Sequence, residues 1–142
     1  MRIAYAASFQ RDEDGRVLVT FRDLPEAATD GAVLGEAREQ AVDLLNSVLM
    51  FRMKYREDIP APSKARKGEE TVAPDMAVAA KVALYLSMRH QGMTAAELSR
   101  RLGVDYREVQ RILNPYHATK TARMSDAIEA AGGHAVIELQ LA

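Results

Sequence analysis

The stretch TAAELSRRLGVDYREVQRILN, Thr94 to Asn114, reads as two short helices joined by a tight turn, the arrangement that lays a second helix in the DNA major groove. Thr94 and Glu97 have the S/T-x-x-E spacing of a capping box, which opens the first helix. Asp105 and Glu108 have the spacing of an N-cap and its first-turn carboxylate, which opens the second. Between them, Gly103 supplies the backbone freedom a sharp turn needs. Leu98, Leu102, Val104, Val109 and Ile112 can close a small core, and Ser99 is compact enough for the helices to approach. That leaves Arg107, Gln110, Arg111 and Asn114 at i, i+3, i+4 and i+7 on one exposed face. Arginine to guanine and glutamine or asparagine to adenine are the commonest bidentate base contacts, so this face is chemically suited to reading sequence. Tyr106 opens the same helix and is a further candidate DNA contact. Arg100 and Arg101 one helix earlier, and His117 and Lys120 just beyond, are placed to meet phosphates. A plain helical hairpin with a solvated polar face is the simpler alternative. Two caps, a glycine turn and a readable face together favour DNA binding.

Outward from this stretch, a helix from Asp75 to about Gln91 precedes it, with Met76, Ala80, Ala83, Leu84 and Met88 as an apolar stripe. Val78, Val82 and Leu86 add apolar residues on another side, so burial on more than one face is expected. Pro115 ends the second helix of the pair, and Ser125 to Ala131 forms a last short helix closed by Gly132-Gly133. In the tail, Ile137, Leu139 and Leu141 alternate with Val136, Glu138 and Gln140, the period of a strand. One strand is not stable alone. A second copy across a twofold axis is its simplest partner, which would make these three residues a dimerisation element. Packing back on its own chain is the alternative.

The N-terminal half has a different rhythm. Ile3, Tyr5, Ala7 and Phe9 alternate with polar or small residues, Asp14-Gly15 is a hairpin signal, and Val17, Val19 and Phe21 alternate on the return strand. Asp23-Leu24-Pro25 ends that strand, and Ala27-Ala28-Thr29 is a short third one. A long helix follows, with Leu34, Ala37, Ala41, Leu44, Val48, Phe51 and Tyr55 along one face and Leu45, Leu49 and Met53 widening it to cover a sheet. Ile59-Pro60-Ala61-Pro62-Ser63 ends the helix, Thr71-Val72-Ala73 adds an edge strand, and Pro74 marks a domain boundary.

A formal net charge of −1 hides an asymmetry. Residues 1–43 carry five arginines and nine carboxylates, a net −4, whereas residues 89–123 carry seven Lys/Arg and three carboxylates, a net +4. The basic region suits a phosphate backbone and the acidic one a basic partner. With no cysteine, disulfides and thiolate zinc sites are excluded, which fits a reducing cytoplasm. Neither a membrane span nor a signal peptide is expected. Catalysis by two metals needs converging carboxylates. Asp12, Glu13 and Asp14 instead occupy a turn, Asp23 precedes Leu-Pro, and Glu36 and Glu39 sit in a first helical turn. His90, His117 and His134 have no ligand spacing. Neither an enzyme nor a cofactor is expected.

The order Tyr5…Phe9…Asp12-Glu13-Asp14-Gly15…Val19-Thr20-Phe21-Arg22-Asp23-Leu24-Pro25, then a helix and Ile59-Pro60-Ala61-Pro62-Ser63, resembles the HicB antitoxin family. Leu98 to Val104, Arg111 to Pro115 and His117 to Lys120 resemble the helix-turn-helix of one branch of it. Glu26-Ala27-Ala28-Thr29 departs from the family, which often has Gly-Cys there. The resemblance implies an α+β chain. Residues 1–73 would form a β-β-β-α-β toxin-binding domain like a truncated ribonuclease H fold. Residues 74–142 would form an all-α helix-turn-helix domain for DNA binding and dimerisation, with a C-terminal strand. It further implies a small, basic, mRNA-cleaving HicA-type toxin as partner and repression of the shared operon. Asp12, Asp14, Asp23, Glu36 and Glu39 are the candidate toxin contacts. A stand-alone regulator with an N-terminal ligand-sensing domain is the competing reading.

Overall fold

Alternation and turn chemistry build the N-terminal sheet. In the computed structural model, which describes residues 1–142, β1 (Tyr5–Arg11) and β2 (Val17–Phe21) form an antiparallel hairpin. Asp12 makes its turn: one carboxylate oxygen accepts the Asp14 and Arg16 N–H groups, both at 2.9 Å. Gly15 follows at φ 76°, a left-handed value that suits glycine. Val17, Val19 and Phe21 point inward and Leu18 and Thr20 outward, as the alternation requires. β3 (Leu24–Gly31) is longer than the three residues expected and takes in Glu26-Ala27-Ala28-Thr29. Pro25 sits inside it rather than ending β2. The strand order is β3-β2-β1-β4, so β3 is an edge, where a missing N–H is tolerated. β4 (Glu69–Val72) forms the other edge, antiparallel to β1.

Helix α1 (Leu34–Lys54) covers this sheet, but on a rotated stripe. It buries Ala37, Ala41, Leu45, Leu49 and Met53, every fourth residue, together with Asn46. Leu34, Phe51 and Tyr55, expected on the inner face, are 37%, 51% and 56% exposed. The small residues at its start permit a close approach to the sheet: a Cβ on Gly31 would lie 2.4 Å from the Ala37 nitrogen. Asn46 is satisfied by Asp75, each side chain or backbone amide donating to the other at 2.9 Å. Tyr5 crosses to the segment after α1, its hydroxyl donating to the Pro60 carbonyl at 2.8 Å. Burial pushes this phenol up to about 12.

The chain divides into two compact units, Met1–Val78 and Ala79–Ala142. The division falls inside the first turn of α2 (Met76–Gln91), shortly after Pro74. Leu84 and Met88 of α2 join Leu98, Val109, Ile112, Met124, Ala127 and Ile128 in the core of the second unit, with Leu102 and Val104 packed against it. Met76, expected in the α2 stripe, is 67% exposed. The unit is completed by α3 (Ala95–Leu102), α4 (Tyr106–Leu113) and α5 (Thr121–Ala130), the last starting four residues before the expected Ser125.

The expected C-terminal strand is absent. Residues 134–142 are neither strand nor helix, and Ile137, Leu139 and Leu141 are 78%, 78% and 85% exposed. The alternation is present, but no strand of the same chain lies beside it, and a lone strand has nowhere to send its backbone hydrogen bonds.

Candidate nucleic-acid interface and acidic face

Two caps and a glycine set the geometry of α3 and α4. The Thr94 hydroxyl accepts the Glu97 N–H at 3.2 Å, and the Asp105 carboxylate accepts the Arg107 N–H at 2.7 Å. Gly103, at φ 65°, ends α3 in the left-handed region. Ser99 also ties the turn across, donating from Oγ to the Val104 carbonyl at 2.6 Å. The reciprocal half of the capping box does not form, because the Glu97 carboxylate accepts from Arg101 at 2.9 Å instead.

The face of α4 is only partly as the spacing suggests. Arg107, Gln110 and Arg111 are exposed on the helix, and Tyr106 at its start is 48% exposed. Neither Arg107 nor Gln110 makes a side-chain hydrogen bond within the chain. Arg111 is held by Glu108 at 2.7 Å. Asn114 does not continue the face: it is the C-cap, at ψ 114°, and its side-chain oxygen accepts the Tyr116 N–H at 3.0 Å. Its amide nitrogen remains available to a base or phosphate. Of the expected phosphate contacts, Arg100 is exposed with no partner in the chain. Arg101 bonds to Glu97 and to the Ala130 carbonyl at 3.0 Å, joining α3 to the end of α5. His117 and Lys120 are exposed between α4 and α5, the His117 ring 3.4 Å from the Thr119 hydroxyl.

Lys81 of α2 is the residue the sequence reading missed. It is only 6% exposed. Its Nζ donates to the Ile112 carbonyl at 2.6 Å, to the Thr119 hydroxyl at 2.8 Å and, longer, to the Arg111 carbonyl at 3.4 Å. One cation thus satisfies the last carbonyls of α4 and pins the segment that leads to α5. Burial lowers its pKa from 10.5 to about 8. The signal was present: Lys81 is a lone charge in the otherwise apolar run from Met76 to Leu86.

On the sheet unit the five candidate acids separate into two groups. Asp12 is used in the hairpin turn. Asp23 accepts from the Ser63 N–H at 2.7 Å and its hydroxyl at 2.8 Å, which holds its pKa below the usual carboxylate range. Glu36 accepts the Ala32 N–H at 2.8 Å ahead of α1. Asp14 and Glu39 are exposed and make no side-chain bond, as are Glu13 and Asp43, which the reading had not selected as contacts. No three His, Asp or Glu side chains come together as a metal site.

These features meet in the comparison with known proteins. Residues 4–83 match the family described as "HicB_like antitoxin of bacterial toxin-antitoxin system". The chain belongs to the HicB-like antitoxins. The matched span takes in all four strands and α1. Among curated relatives, Antitoxin HicB 2 of Photorhabdus laumondii is 39% identical over 130 residues, covering 92% of this chain and 91% of its own. Antitoxin HicB of Escherichia coli is 34% identical over 128 residues, 90% of this chain and 93% of the relative. Antitoxin HicB 1 of Photorhabdus laumondii is 32% identical over 136 residues, 96% and 86% respectively. The likeness to HicB proteins therefore extends through most of the helical unit as well. No helix is long and apolar enough to cross a membrane.

Proposed function

We propose that this chain masks the active site of a small basic HicA-type toxin with residues 1–73 and represses the operon encoding both proteins with residues 74–142. Membership of the HicB-like antitoxins, with likeness to named HicB antitoxins along nine-tenths of the chain, carries the reading. The sheet unit, whose β-β-β-α-β order is that expected of the truncated ribonuclease H-like domain, supplies the toxin surface. An mRNA-cleaving protein must present cations to phosphate, and the uncommitted carboxylates Asp14, Glu39, Glu13 and Asp43 can occupy them instead. Neutralisation is then occlusion in the cytoplasm, with no catalytic step by this chain.

α3 and α4 act as the helix-turn-helix, with Arg107, Gln110 and Arg111 reading bases, Tyr106 and Asn114 at the ends of the same helix, and Arg100, His117 and Lys120 on phosphate. Arg101 serves mainly to hold α3 to α5. The tail completes the dimer: the exposed alternation of Ile137, Leu139 and Leu141 pairs with its copy, giving the strand the partner it lacks in one chain. The decisive experiment is co-purification with the product of the neighbouring gene, followed by rescue of cells expressing that product. Failure of rescue by the full chain overturns the antitoxin reading. Deleting residues 135–142 tests the tail: sedimentation should show a weaker dimer, with operator binding reduced more than rescue.

A further inference from the structure

The inference rests on the proposed DNA-reading face of α4. On that face Arg107 and Gln110 are unattached, whereas Arg111 is held one turn back by Glu108. Its Nε lies 3.2 Å and its Nη2 2.7 Å from the same oxygen, Oε2 of Glu108. The Glu108 pKa is lowered first by this hydrogen bond, with the charges of Arg111, Arg123 and His117 contributing. The carboxylate is therefore ionised at neutral pH.

A guanidinium carries five N–H donors in a rigid planar fork. Glu108 engages one on Nε and one on Nη2, which is one edge of the fork. The two on Nη1 and the second on Nη2 remain, and they form the adjacent edge. That free edge is the one whose spacing fits O6 and N7 of guanine. We infer that Glu108 is a specificity-determining positioning residue, fixing the plane of Arg111 so that its free edge reads guanine. The pairing has a second effect: with its charge partly cancelled, Arg111 contributes little to the sequence-independent attraction of phosphates. Arg107, with no such support, adapts to base or phosphate. The base pair opposite Arg111 is thus the most strictly specified position read by α4.

The test uses the full-length protein and a duplex from its own promoter, with each base pair replaced in turn, titrated at two salt concentrations. For the parent, replacing the guanine opposite Arg111 should weaken binding roughly tenfold or more. Glu108→Gln, with its helical fold checked by circular dichroism, should lose most of that penalty at that one position. It should also bind random DNA more tightly and with a steeper salt dependence, because a cation has been released. Arg111→Lys should relax the same position, and the double variant should be no worse than Arg111→Lys alone. An unchanged base profile for Glu108→Gln, or a loss spread evenly over all positions, overturns the assignment while leaving DNA binding by α4 intact. A parent that does not distinguish its promoter from random DNA overturns the reading of α4, and this assignment with it.

Discussion

The two units use their arginines in opposite ways. In the sheet unit Arg16, Arg22, Arg38 and Arg52 each reach across to another element and grip Asp30, Glu69, Glu70 and Glu26 at 2.7 to 3.0 Å. These pairs hold strand to strand and helix to sheet, and they leave the carboxylates Glu13, Asp14, Glu39 and Asp43 unattached, along with the exposed cations Lys64, Arg66 and Lys67 that follow α1. In the helical unit the paired arginines, Arg101 and Arg111, are held by Glu97 and Glu108 within a turn of the same helix. Arg100 and Arg107 have no partner in the chain. A cation gripped by another element has its direction set by the tertiary fold, whereas one held by a carboxylate of its own helix keeps its place on that helix's face. Residues 1–78 carry 11 Lys/Arg and 14 Asp/Glu, a net −3, and residues 79–142 carry 8 and 6, a net +2, so the two units show opposite signs.

The largest way to separate the units is to break one fold and leave the other. Gly31 has no room for a side chain, since a Cβ would press on the Ala37 backbone, which cannot swing aside. Gly31→Ala should destabilise the sheet unit by roughly 3 kcal/mol or more. Toxin rescue should fail while DNA binding persists. Chemical unfolding followed in the parent and variant checks this, and an unchanged midpoint would show that β3 and α1 can part at no cost.

Lys81 is the exception to the comparison, a buried cation held by carbonyl and hydroxyl oxygens with no carboxylate beside it, and pH exposes it. Its pKa falls from 10.5 unfolded to about 8 folded, so between these values the unfolded chain holds more protons. Stability from this group therefore rises with pH across that window, and below about pH 8 the full cost of burying its charge is present. Relative to Lys81→Met, the parent should gain about 2 kcal/mol between pH 8 and 9.5. Urea unfolding of both at several pH values decides the matter, and parallel curves would mean the ammonium is not desolvated.

On the helical unit the test is subtraction from the reading face. Arg107→Ala and Gln110→Ala should each cost about 1–3 kcal/mol of discrimination between operator and random DNA. Neither should affect rescue from the toxin. If both variants bind the two DNAs as the parent does, α4 is not the reading helix.

What the sequence showed of this depended on whether a pattern's partner lay within the chain. Val17, Val19 and Phe21 became a strand because β1 and β3 flank them. The equally regular Ile137, Leu139 and Leu141 did not, having no neighbour. In α1 the apolar residues were found but the buried stripe was rotated. The backbone at Ala37 comes close against Gly31, and Phe51 and Tyr55 were left to pack against each other on the surface, ring centroids 4.5 Å apart and tilted by 45°. The caps at Thr94 and Asp105 were legible because they are local. The roles of Asp23, Asn46 and Lys81 were not, since their partners lie 40, 29 and 31 residues away.

The smallest effect on stability sharpens the comparison most. Arg38 and Glu70 join α1 to β4 at 2.7 Å, but both side chains are about half exposed, at 53% and 43%. A pair so well solvated contributes little, because water screens the attraction and ordering two long side chains costs entropy. Arg38→Gln should therefore leave stability close to that of the parent. It also frees the Glu70 carboxylate and makes the sheet unit one charge more negative. If leftover acids steer the toxin, association should be faster at low salt, the gain should vanish at high salt, and the dissociation rate should be nearly unchanged. Stopped-flow mixing with the purified toxin at two ionic strengths measures all three. A slower association at low salt would show that Arg38 itself contacts the toxin, and that the acidic surface is a consequence of the fold rather than the means of recognition.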